Sequence, residues 1–284
     1  FLGFVQHTSA WSENWLLKLQ WTELSDDAYI NEFNSAYHHQ KDTYLNNFAQ
    51  LSYTTDDIYL DFLSQNIEEL GSHNPSYRIP AQLNIDWQAF TTDIGFDANI
   101  NTKITHFTSQ YKNEYDVLRA HIAPELSYQF YSPAFQFESS LTYFATQYKQ
   151  SFLDRDEAQT IDRGVGKFRA LAGLNFEKLT TYFGQPVRQT LEPKLQYVYV
   201  ESVDQTGIGF YDSQKLKADY FALFRSTNYS SIDRIEPMDQ ATIGISTSIF
   251  DDLNRELFRF GIAQVHKFSN QIESVGTNAR WSFV

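Results

Sequence analysis

Apolar and polar residues alternate along most of the chain with a period of two. Between residues 80 and 90, Leu83, Ile85 and Trp87 are apolar, and the residues between them are polar. A strand with one apolar and one polar face has this pattern, because successive side chains point to opposite faces of a sheet. No segment shows a convincing 3.6-residue helical period. The pattern predicts roughly a dozen antiparallel strands, at residues 15–23, 45–53, 58–65, 80–90, 94–103, 118–130, 135–147, 165–177, 189–200, 240–250, 256–267 and 278–284, with a less regular run at the start.

The predicted strands are long. Strands of globular proteins most often have about 5 to 6 residues, whereas a tilted strand that crosses a bilayer needs about 9 to 11. Aromatic residues also collect near strand ends, as at Trp15 and Trp21, where the aromatic girdles of a membrane barrel would lie. We therefore expect an all-β fold of antiparallel transmembrane barrel strands. Ordinary β-propensity in a soluble sheet is the alternative.

Short and longer connections alternate along the chain. An outer-membrane barrel has tight periplasmic turns and larger extracellular loops, and this alternation is typical of it. The pattern thus favours the barrel over a soluble sandwich. The short links are residues 10–12, 54–57, 91–93, 131–134 and 251–255; the longer ones are 24–44, 66–78, 149–164 and 201–239, and those at 107–116 and 178–188 are intermediate.

Composition narrows the class further. The 284 residues have a formal net charge of −13 and no cysteine. No run of about 18 apolar residues occurs, so the sequence excludes a helical membrane protein. The acidic balance speaks against nucleic acid as a partner, since a nucleic-acid face needs clustered Lys and Arg. Without cysteine the chain has no disulfide and no thiolate metal site.

Three similar segments each contain a proline. RIPAQL, HIAPEL and TLEPKL carry Pro80, Pro124 and Pro193. Proline cannot donate a hydrogen bond to a β-ladder, so it is tolerated at the start of a strand or at a bulge. We predict such a position for all three. Nothing in the composition marks a domain boundary, and we expect residues 1–284 to belong to one continuous sheet without a second domain.

The longest interval without clean alternation contains residues 210–235. This segment is rich in Tyr, Phe, Arg and Asp rather than in Gly and Ser, and most connections in compact domains have only about 4 to 6 residues. A segment of this length and composition is expected to pack against something. The simplest interpretation is a loop that folds over the strands.

Four segments resemble one known family. QTLEPKLQYVYV at 189–200, YDSQKLKADYFALFR at 211–225, NYSSIDRI at 228–235 and QATIGISTSIFDD at 240–252 resemble the barrel of the LptD family of lipopolysaccharide-assembly proteins. The likeness extends upstream to residues 11–33 and so covers nearly the whole chain. It implies a 26-stranded outer-membrane barrel that follows a periplasmic β-jellyroll, is plugged by the lipoprotein LptE and delivers lipopolysaccharide to the outer leaflet.

The resemblance also implies the chain's place and its partners. The jellyroll and the terminal barrel strands of the family have no counterpart here, so we expect a fragment of about 12 strands. Its implied partners are lipopolysaccharide, LptE, outer-membrane lipids and, through the missing N-terminal domain, a periplasmic bridge protein. An ordinary porin or uptake channel is the alternative function, with a pore lined by Gln82, Asn84, Asp86, Asp97, Asn99 and Lys103.

Within this family the segment 210–235 gains a second interpretation, as a loop that enters the lumen and contacts the plug protein. Arg225 and Arg234 can form forked hydrogen bonds to Asp212, Asp219 or Asp233, or to a partner. Aromatic and Arg side chains usually carry interface energy. The candidate contact residues are Tyr211, Asp212, Asp219, Tyr220, Phe224, Arg225, Tyr229, Asp233 and Arg234.

Metal sites are the weaker interpretation of several polar groups. His38 and His39, with Asp42 nearby, lie in a polar loop, and a solvated loop explains them better than a metal site, which needs convergent ligands. Two acidic pairs in long links could hold divalent cations among lipopolysaccharide phosphates, but solvation explains them as well. These pairs are Asp26 with Asp27, and Glu68 with Glu69.

A hydrolase is also disfavoured. Ser132 or Ser139 with His121 could form a catalytic pair, but no GxSxG motif is present, and unsupported pairs of this kind are weak signals. We expect no catalytic residue, no metal and no cofactor.

Overall fold

A computed structural model describes residues 1–25, 44–69, 77–109, 115–152, 158–217, 221–268 and 278–283. Fourteen strands in these ranges form one antiparallel sheet, which confirms the predicted all-β fold. A 3-10 turn spans Phe221–Phe224. The strands are β1 (Leu2–Ala10), β2 (Trp15–Leu24), β3 (Tyr44–Thr54), β4 (Ile58–Glu69), β5 (Arg78–Thr91), β6 (Phe96–Thr108), β7 (Tyr115–Tyr131), β8 (Phe135–Phe152), β9 (Ala158–Leu174), β10 (Phe176–Tyr182), β11 (Gln185–Val200), β12 (Met238–Phe250), β13 (Glu256–Lys267) and β14 (Asn278–Phe283).

Consecutive strands pair with each other, except that β9 pairs with β11 instead of β10; in the described residues β10 pairs with β11 alone. Among the described residues β1 pairs with β2 alone and β14 with β13 alone, so the sheet is open at both edges. In the same part of the chain, no helix is long and apolar enough to cross a membrane.

Strands β9 and β10 are one strand with a break at Asn175. The register that pairs Lys194 with Gly173 continues unchanged to Leu191 and Phe176. Pro193 lies opposite the break, and its nitrogen has no hydrogen to donate. The predicted link at 178–188 was therefore wrong: β10 and β11 form a hairpin closed by two residues only.

The residues of the hairpin turn explain why the sequence pattern did not predict the hairpin. Phe183 and Gly184 occupy the two turn positions with φ of 51° and 79°. Two positive φ values match a type I′ turn, which usually carries Asn-Gly or Asp-Gly. Phenylalanine at the first position gives no turn signal, so the sequence pattern could not locate the turn.

The three prolines lie at interruptions of the ladder, but only one lies near a strand start. Pro80 is close to the start of β5, where pairing with both neighbouring strands shows one extra residue, a β-bulge. Pro124 and Pro193 lie in the middle of β7 and β11, so a position at a strand start was the wrong prediction for them. At Pro124 the register with β8 is unshifted, but pairing stops at Ile122 and resumes at Glu125. A long strand therefore accommodates proline by leaving Ala123 and Pro124 unpaired with β8 and keeping the register.

The sheet has two chemically different faces. The polar face carries Asp86, Asn101, Arg119, Gln150 and Gln196, which the register places on one side. Arg119 and Gln196 on this face are fully buried. Its buried polar residues include Asp61, Gln82, Thr105, His121, Thr142, Arg163 and Thr242.

The apolar face is the exposed one. Leu141, Leu195 and Ile243 lie on it and are 59%, 53% and 62% exposed. Large apolar side chains turned outward and polar ones turned inward are the reverse of a water-soluble sheet and match the lipid-facing wall of a membrane barrel. Other exposed residues of this face are Phe62, Leu83, Trp87, Ile104, Ile122, Leu126, Tyr143, Phe168, Tyr199 and Ile262.

Two turn glycines provide a matched test of the fold. Gly95 has φ of 93°, and a Cβ there would lie 2.0 Å from the backbone oxygen of Gln129 in β7. Gly184 also has positive φ, but no atom lies within 4 Å of its Cβ position. Gly184→Ala should cost only the left-handed backbone strain of about 1 to 2 kcal/mol.

We predict that Gly95→Ala costs about 1 to 3 kcal/mol more than Gly184→Ala, because β7 must shift as in an overpacked core. Urea unfolding of the two variants in the full-length protein measures the difference. Equal midpoints would contradict the close contact between the β5–β6 turn and β7.

Candidate functional site

The loop between β11 and β12, residues 201–237, lies against the polar face of the sheet; we call it the inner loop. Its described residues exclude 218–220. Side chains from three strands hold it: Arg119 of β7, Tyr148 and Gln150 of β8, and Arg163 of β9. The loop thus covers the middle of the polar face rather than extending away from the sheet.

Arg119 forms the main attachment. Its Nη1 and Nη2 donate to Oδ1 and Oδ2 of Asp212 at 2.8 and 2.7 Å, a forked pair of hydrogen bonds. Nη1 also donates to Oδ1 of Asp233 at 2.6 Å. The side chains of Arg119 and Asp233 are fully buried, and that of Asp212 is 18% exposed. We call these three residues the Arg119 anchor.

Asp233 joins the two ends of the inner loop. Its Oδ2 accepts the backbone N–H groups of Tyr211 and Asp212 at 2.8 and 3.0 Å. In return the backbone N–H of Asp233 donates to Oγ of Ser213 at 2.9 Å. One carboxylate therefore binds the first part of the loop, the last part and the sheet together.

The charges of the anchor depend on one another. Burial raises the pKa of Asp212, but the hydrogen bonds and the charge of Arg119 outweigh this effect and bring the pKa to about 2. Burial raises the pKa of Asp233 against the attraction of Arg119. The oxygens of Asp233 nevertheless receive only N–H and O–H donors, and a carboxylate is the form that such a set of donors stabilises.

Arg163 forms a second attachment next to the first. Its Nη1 donates to the backbone oxygen of Asp233 at 3.0 Å and to Oε1 of Gln205 at 3.1 Å. Its Nη2 donates to the backbone oxygen of Ile232 at 2.5 Å. Gln205 also exchanges two hydrogen bonds with the backbone of Ile235. The returning arm of the loop is therefore fixed through its main chain.

Aromatic packing surrounds the polar anchor. Tyr211 stacks on Phe107 with ring centroids 5.4 Å apart, and its hydroxyl donates to Gln150. Phe107, Tyr148 and Tyr211 form one buried cluster with Val117 and Ile208. The guanidinium of Arg119 lies 4.8 Å from the Phe107 ring centre. This packing excludes water and so strengthens the ion pairs.

The middle of the inner loop contacts the sheet farther along, at β12. Thr242 donates from its hydroxyl to the backbone oxygen of Leu223 at 2.9 Å. Phe224 lies over Gly244, where a Cβ would be only 2.7 Å from the ring. Beneath the 3-10 turn, Phe221, Phe224 and the ion pair Glu138–Arg169 line a cavity of about 510 Å³.

The structure distributes the nine predicted loop residues unequally. Tyr211, Asp212 and Asp233 lie together at the anchor, and Phe224 lies on β12. Tyr229 pairs with Lys215 across the loop. Asp219 and Tyr220 lie outside the described residues.

The predicted pairing of the loop arginines was wrong for Asp212 and Asp233. Both carboxylates pair with Arg119 of the sheet. Arg225 donates to the backbone oxygen of Lys217, and Arg234 donates to the backbone oxygens of Gln205 and Ile208. In the described residues both loop arginines therefore bind main-chain oxygens of the loop.

Sequence reasoning missed Arg119, Tyr148 and Arg163. The period of two places all three residues on the polar face. A charged arginine on the inward face of a strand, as at Arg119 and Arg163, is a signal that could have identified them. Their partners could not be found in this way, because Asp212 and Asp233 lie 93 and 114 residues from Arg119.

The other sequence candidates do not form a site in the described residues. The groups Asp26, Asp27, His38, His39 and Asp42 lie outside them, and the described residues contain no cluster of three metal-ligating groups. Glu68 and Glu69 end strand β4 rather than lying in the loop that was expected from residue 66.

The candidate catalytic pair is not assembled. Nδ1 of His121 lies 2.8 Å from Oγ1 of Thr146. Ser139 is seven residues from Thr146 on the same strand, which places it on the opposite face and about 23 Å away. Ser132 lies in the β7–β8 turn and bonds Phe135.

Arg119→Met tests whether the anchor holds the inner loop. It leaves the buried Asp233 without its cation and leaves Asp212, which is partly exposed, with only Lys103 at 3.9 Å, which costs about 3 to 5 kcal/mol. We predict that chymotrypsin cleaves the inner loop of the full-length variant about 100-fold faster or more. Arg169→Met is the matched control, since Arg169 pairs with Glu138 on the same face. Equal cleavage of both variants would contradict the role of Arg119.

Comparison with known proteins finds one family over nearly the whole chain. A model of the LptD family, described as LPS transport system D, matches residues 1–282. The LPS-assembly protein LptD of Idiomarina loihiensis is 34% identical over 292 residues, which cover 99% of this chain and 38% of that protein.

Two further relatives match the chain to a similar extent. The LPS-assembly proteins LptD of Shewanella frigidimarina and Pseudoalteromonas translucida are 35% and 34% identical, and their matches cover 93% of this chain and 35% and 36% of those proteins. The chain thus spans little more than a third of the length of these relatives. By the family match over nearly its whole length, this chain belongs to the LptD family.

Proposed function

We propose that this chain forms part of an outer-membrane translocon that inserts lipopolysaccharide into the outer leaflet. Its relatives are named LPS-assembly proteins, and the exposed apolar face supports a place in the outer membrane. In this proposal residues 1–284 are part of one large barrel domain, with 26 strands as the resemblance implies. A periplasmic domain outside this chain would bind the bridge protein that supplies the lipid.

The observation that carries this proposal is the attachment of the inner loop to the polar face. Arg119, Asp212 and Asp233 hold the loop with buried ion pairs. A porin keeps a water-filled lumen, whereas this loop covers Arg119, Tyr148 and Gln150, which are at most 1% exposed. A covered lumen wall favours a plugged transporter over an open pore.

The inner loop is proposed to present a surface to the plug lipoprotein. The anchor fixes the loop to the sheet, and the loop still exposes aromatic rings: Phe210 is 51% exposed, and Phe221, which lines the cavity toward the sheet, is 55% exposed. Aromatic and Arg side chains are the usual carriers of interface energy. We therefore divide the described contact residues into those that position the loop, Tyr211, Asp212, Phe224, Asp233 and Arg234, and those offered to the partner, Arg225 and Tyr229. Asp219 and Tyr220 stay contact candidates from the sequence alone.

Arg225→Glu in the full-length protein tests the partner contact. Charge reversal in the interface should reduce co-purification of the plug lipoprotein about tenfold, the effect of roughly 1.4 kcal/mol, and should lower surface lipopolysaccharide. Arg255→Glu is the matched control, because Arg255 is 72% exposed in the β12–β13 turn at the other end of the sheet. Unchanged recovery of the lipoprotein and unchanged surface lipopolysaccharide would refute the loop contact.

A further inference from the structure

The β10–β11 hairpin extends beyond the neighbouring β7–β8 hairpin at the end of the sheet that carries the short turns. Strand β8 begins at Phe135, opposite Leu174, whereas β10 adds seven residues beyond this point. The last contact on this side is made by Asn175, whose backbone N–H donates to the oxygen of Ala134 at 2.9 Å. In the described residues β10 pairs with β11 alone. Its other edge is therefore unpaired over about 23 Å of strand.

Three residues of β10 turn their main-chain groups toward this unpaired edge. The N–H of Asn175 points to the β7–β8 turn rather than to β11. Every second residue of an antiparallel strand faces the same neighbour, so the N–H and C=O groups of Glu177, Leu179 and Thr181 face the same way. In the described part of the chain no strand lies opposite them. We call this row of groups the β10 edge.

The opposite edge of the hairpin is closed by a proline. Strand β11 pairs with β12 from Arg188 onward, and Pro186 is the residue before it that faces the same side. Proline has no N–H to donate, and it is one of the devices that prevent pairing at an exposed strand edge. The β10 edge has neither a proline nor a bulge. The hairpin can therefore accept a further strand on one side only.

Exposed apolar side chains accompany the β10 edge. Phe183 in the turn is fully exposed and Leu179 is 78% exposed, more than any other large apolar side chain of the described residues. Phe176 adds a ring that is 51% exposed. Free strand edges are usually protected by charged residues, whereas apolar groups that gather in one exposed place mark interaction sites. The hairpin has the character of a surface that a partner covers.

The free main-chain groups determine the kind of partner. Groups that repeat at every second residue are matched by another extended polypeptide, which adds a strand to the sheet and offers its own N–H and C=O groups in return. Further strands of a barrel would extend the sheet from β1 or β14, its two end strands, whereas β10 lies beside β11 in the middle. The additional strand must therefore come from outside the barrel wall.

A second copy of the barrel does not fit the β10 edge. Two barrels in one membrane have the same orientation, and their strands tilt by about 35 to 45°. A twofold axis along the membrane normal would make the two β10 strands cross at about 70 to 90°, which prevents a ladder between them. An extended segment outside the membrane is free of this restriction, because it can align with β10.

We propose that the β10 edge binds an extended segment of a separate periplasmic protein as an additional β-strand. The segment would exchange main-chain hydrogen bonds with Glu177, Leu179 and Thr181 and cover the Leu179 side chain. The inference rests on the proposed place of the sheet in the outer membrane, with the short turns in the periplasm. It does not depend on transfer of lipopolysaccharide, on the inner loop or on the plug lipoprotein.

A defined peptide tests the edge directly. The probe is a fluorescent peptide of alternating Thr and Val, N-methylated at every second residue so that only one of its edges can pair. Fluorescence anisotropy with the full-length protein in detergent should show saturable binding. The control peptide has the same side chains but is N-methylated at every residue, and it should bind at least about tenfold more weakly, because its hydrogen-bond donors are lost. Equal binding of the two peptides would overturn the proposal.

Two substitutions at one position separate the main chain from the side chain. Leu179→Pro removes the central N–H of the β10 edge, which the pairing with β11 does not use, and should weaken probe binding about tenfold. Leu179→Thr is the matched control, since it keeps the N–H and should stay within about threefold of the wild type. A urea unfolding midpoint within error of the wild type confirms that each variant is folded. Equal affinities of the two variants would contradict pairing through the main chain.

Hydrogen exchange of the wild-type protein gives a result that no variant can disturb. The probe should slow amide exchange at Glu177, Leu179 and Thr181 and leave Lys178 and Thr180 unchanged, because their N–H groups already face β11. Unchanged exchange at the first three amides would refute the site. Slow exchange at these amides before the probe is added would also refute the proposal, since another part of the full-length chain would then occupy the edge.

Photo-cross-linking in cells tests for the natural partner. A photoreactive residue in place of Thr181 should give one cross-linked product that Leu179→Pro removes and Leu179→Thr keeps. The same residue in place of Leu253, which is 69% exposed in the β12–β13 turn, is the matched control and should not give this product. No product at Thr181, or the same product at both positions, would overturn the proposal. None of these measurements follows lipopolysaccharide transfer, so their failure and a failure of the proposed function are separate results.

Discussion

The buried guanidinium of Arg119 is the constraint on which the site depends. A charge with no exposure to water is tolerated only with partners of opposite charge and good geometry. Asp212 and Asp233 provide both, and they lie 93 and 114 residues along the chain from Arg119. The inner loop therefore has one position in which every charge of the anchor is paired. That position brings Tyr211 against Phe107 and lets Arg163 bind the returning arm of the loop.

The two faces of the sheet give this loop its setting. A bilayer requires every backbone polar group to be satisfied within the protein and favours an apolar exterior. The long paired strands meet the first requirement, and residues such as Leu141, Leu195 and Ile243 meet the second. Polar side chains are then left for the interior, where they can bind a folded loop.

Most of the fold could be predicted from the sequence, because apolar and polar residues alternate with a period of two in a strand that has one apolar and one polar face. The same signal located most strands but not their ends. Strand β8 extends to Phe152 and β9 begins at Ala158, so most of the long link expected at residues 149–164 is strand. The sequence pattern did not predict the β10–β11 hairpin for two reasons. The strand is interrupted at Leu174 and Asn175, opposite Pro193 and Glu192, and Phe183 occupies a turn position that favours Asn or Asp. The mid-strand position of Pro124 was not predicted, because a ladder can omit the pairs of Ala123 and Pro124 without a shift of register.

The candidate site was less predictable. Composition identified the inner loop and its carboxylates, but the cation that binds them comes from β7. Pairing over such distances in sequence depends on which strand faces the loop, and no local pattern records it. Local reasoning could offer Asp212 and Asp233 only the loop arginines or a partner, whereas both carboxylates pair with Arg119 of the sheet.

A double-mutant cycle of Arg119→Met and Asp212→Asn in the full-length protein tests the central claim most directly. Hydrogen exchange of residues 205–210 would report the free energy of loop opening in the wild type, the two single variants and the double variant. The account predicts a coupling of about 1.5 to 3 kcal/mol, the range for hydrogen bonds to charged groups. Additive effects within about 0.5 kcal/mol would contradict it, because independent sites behave in that way.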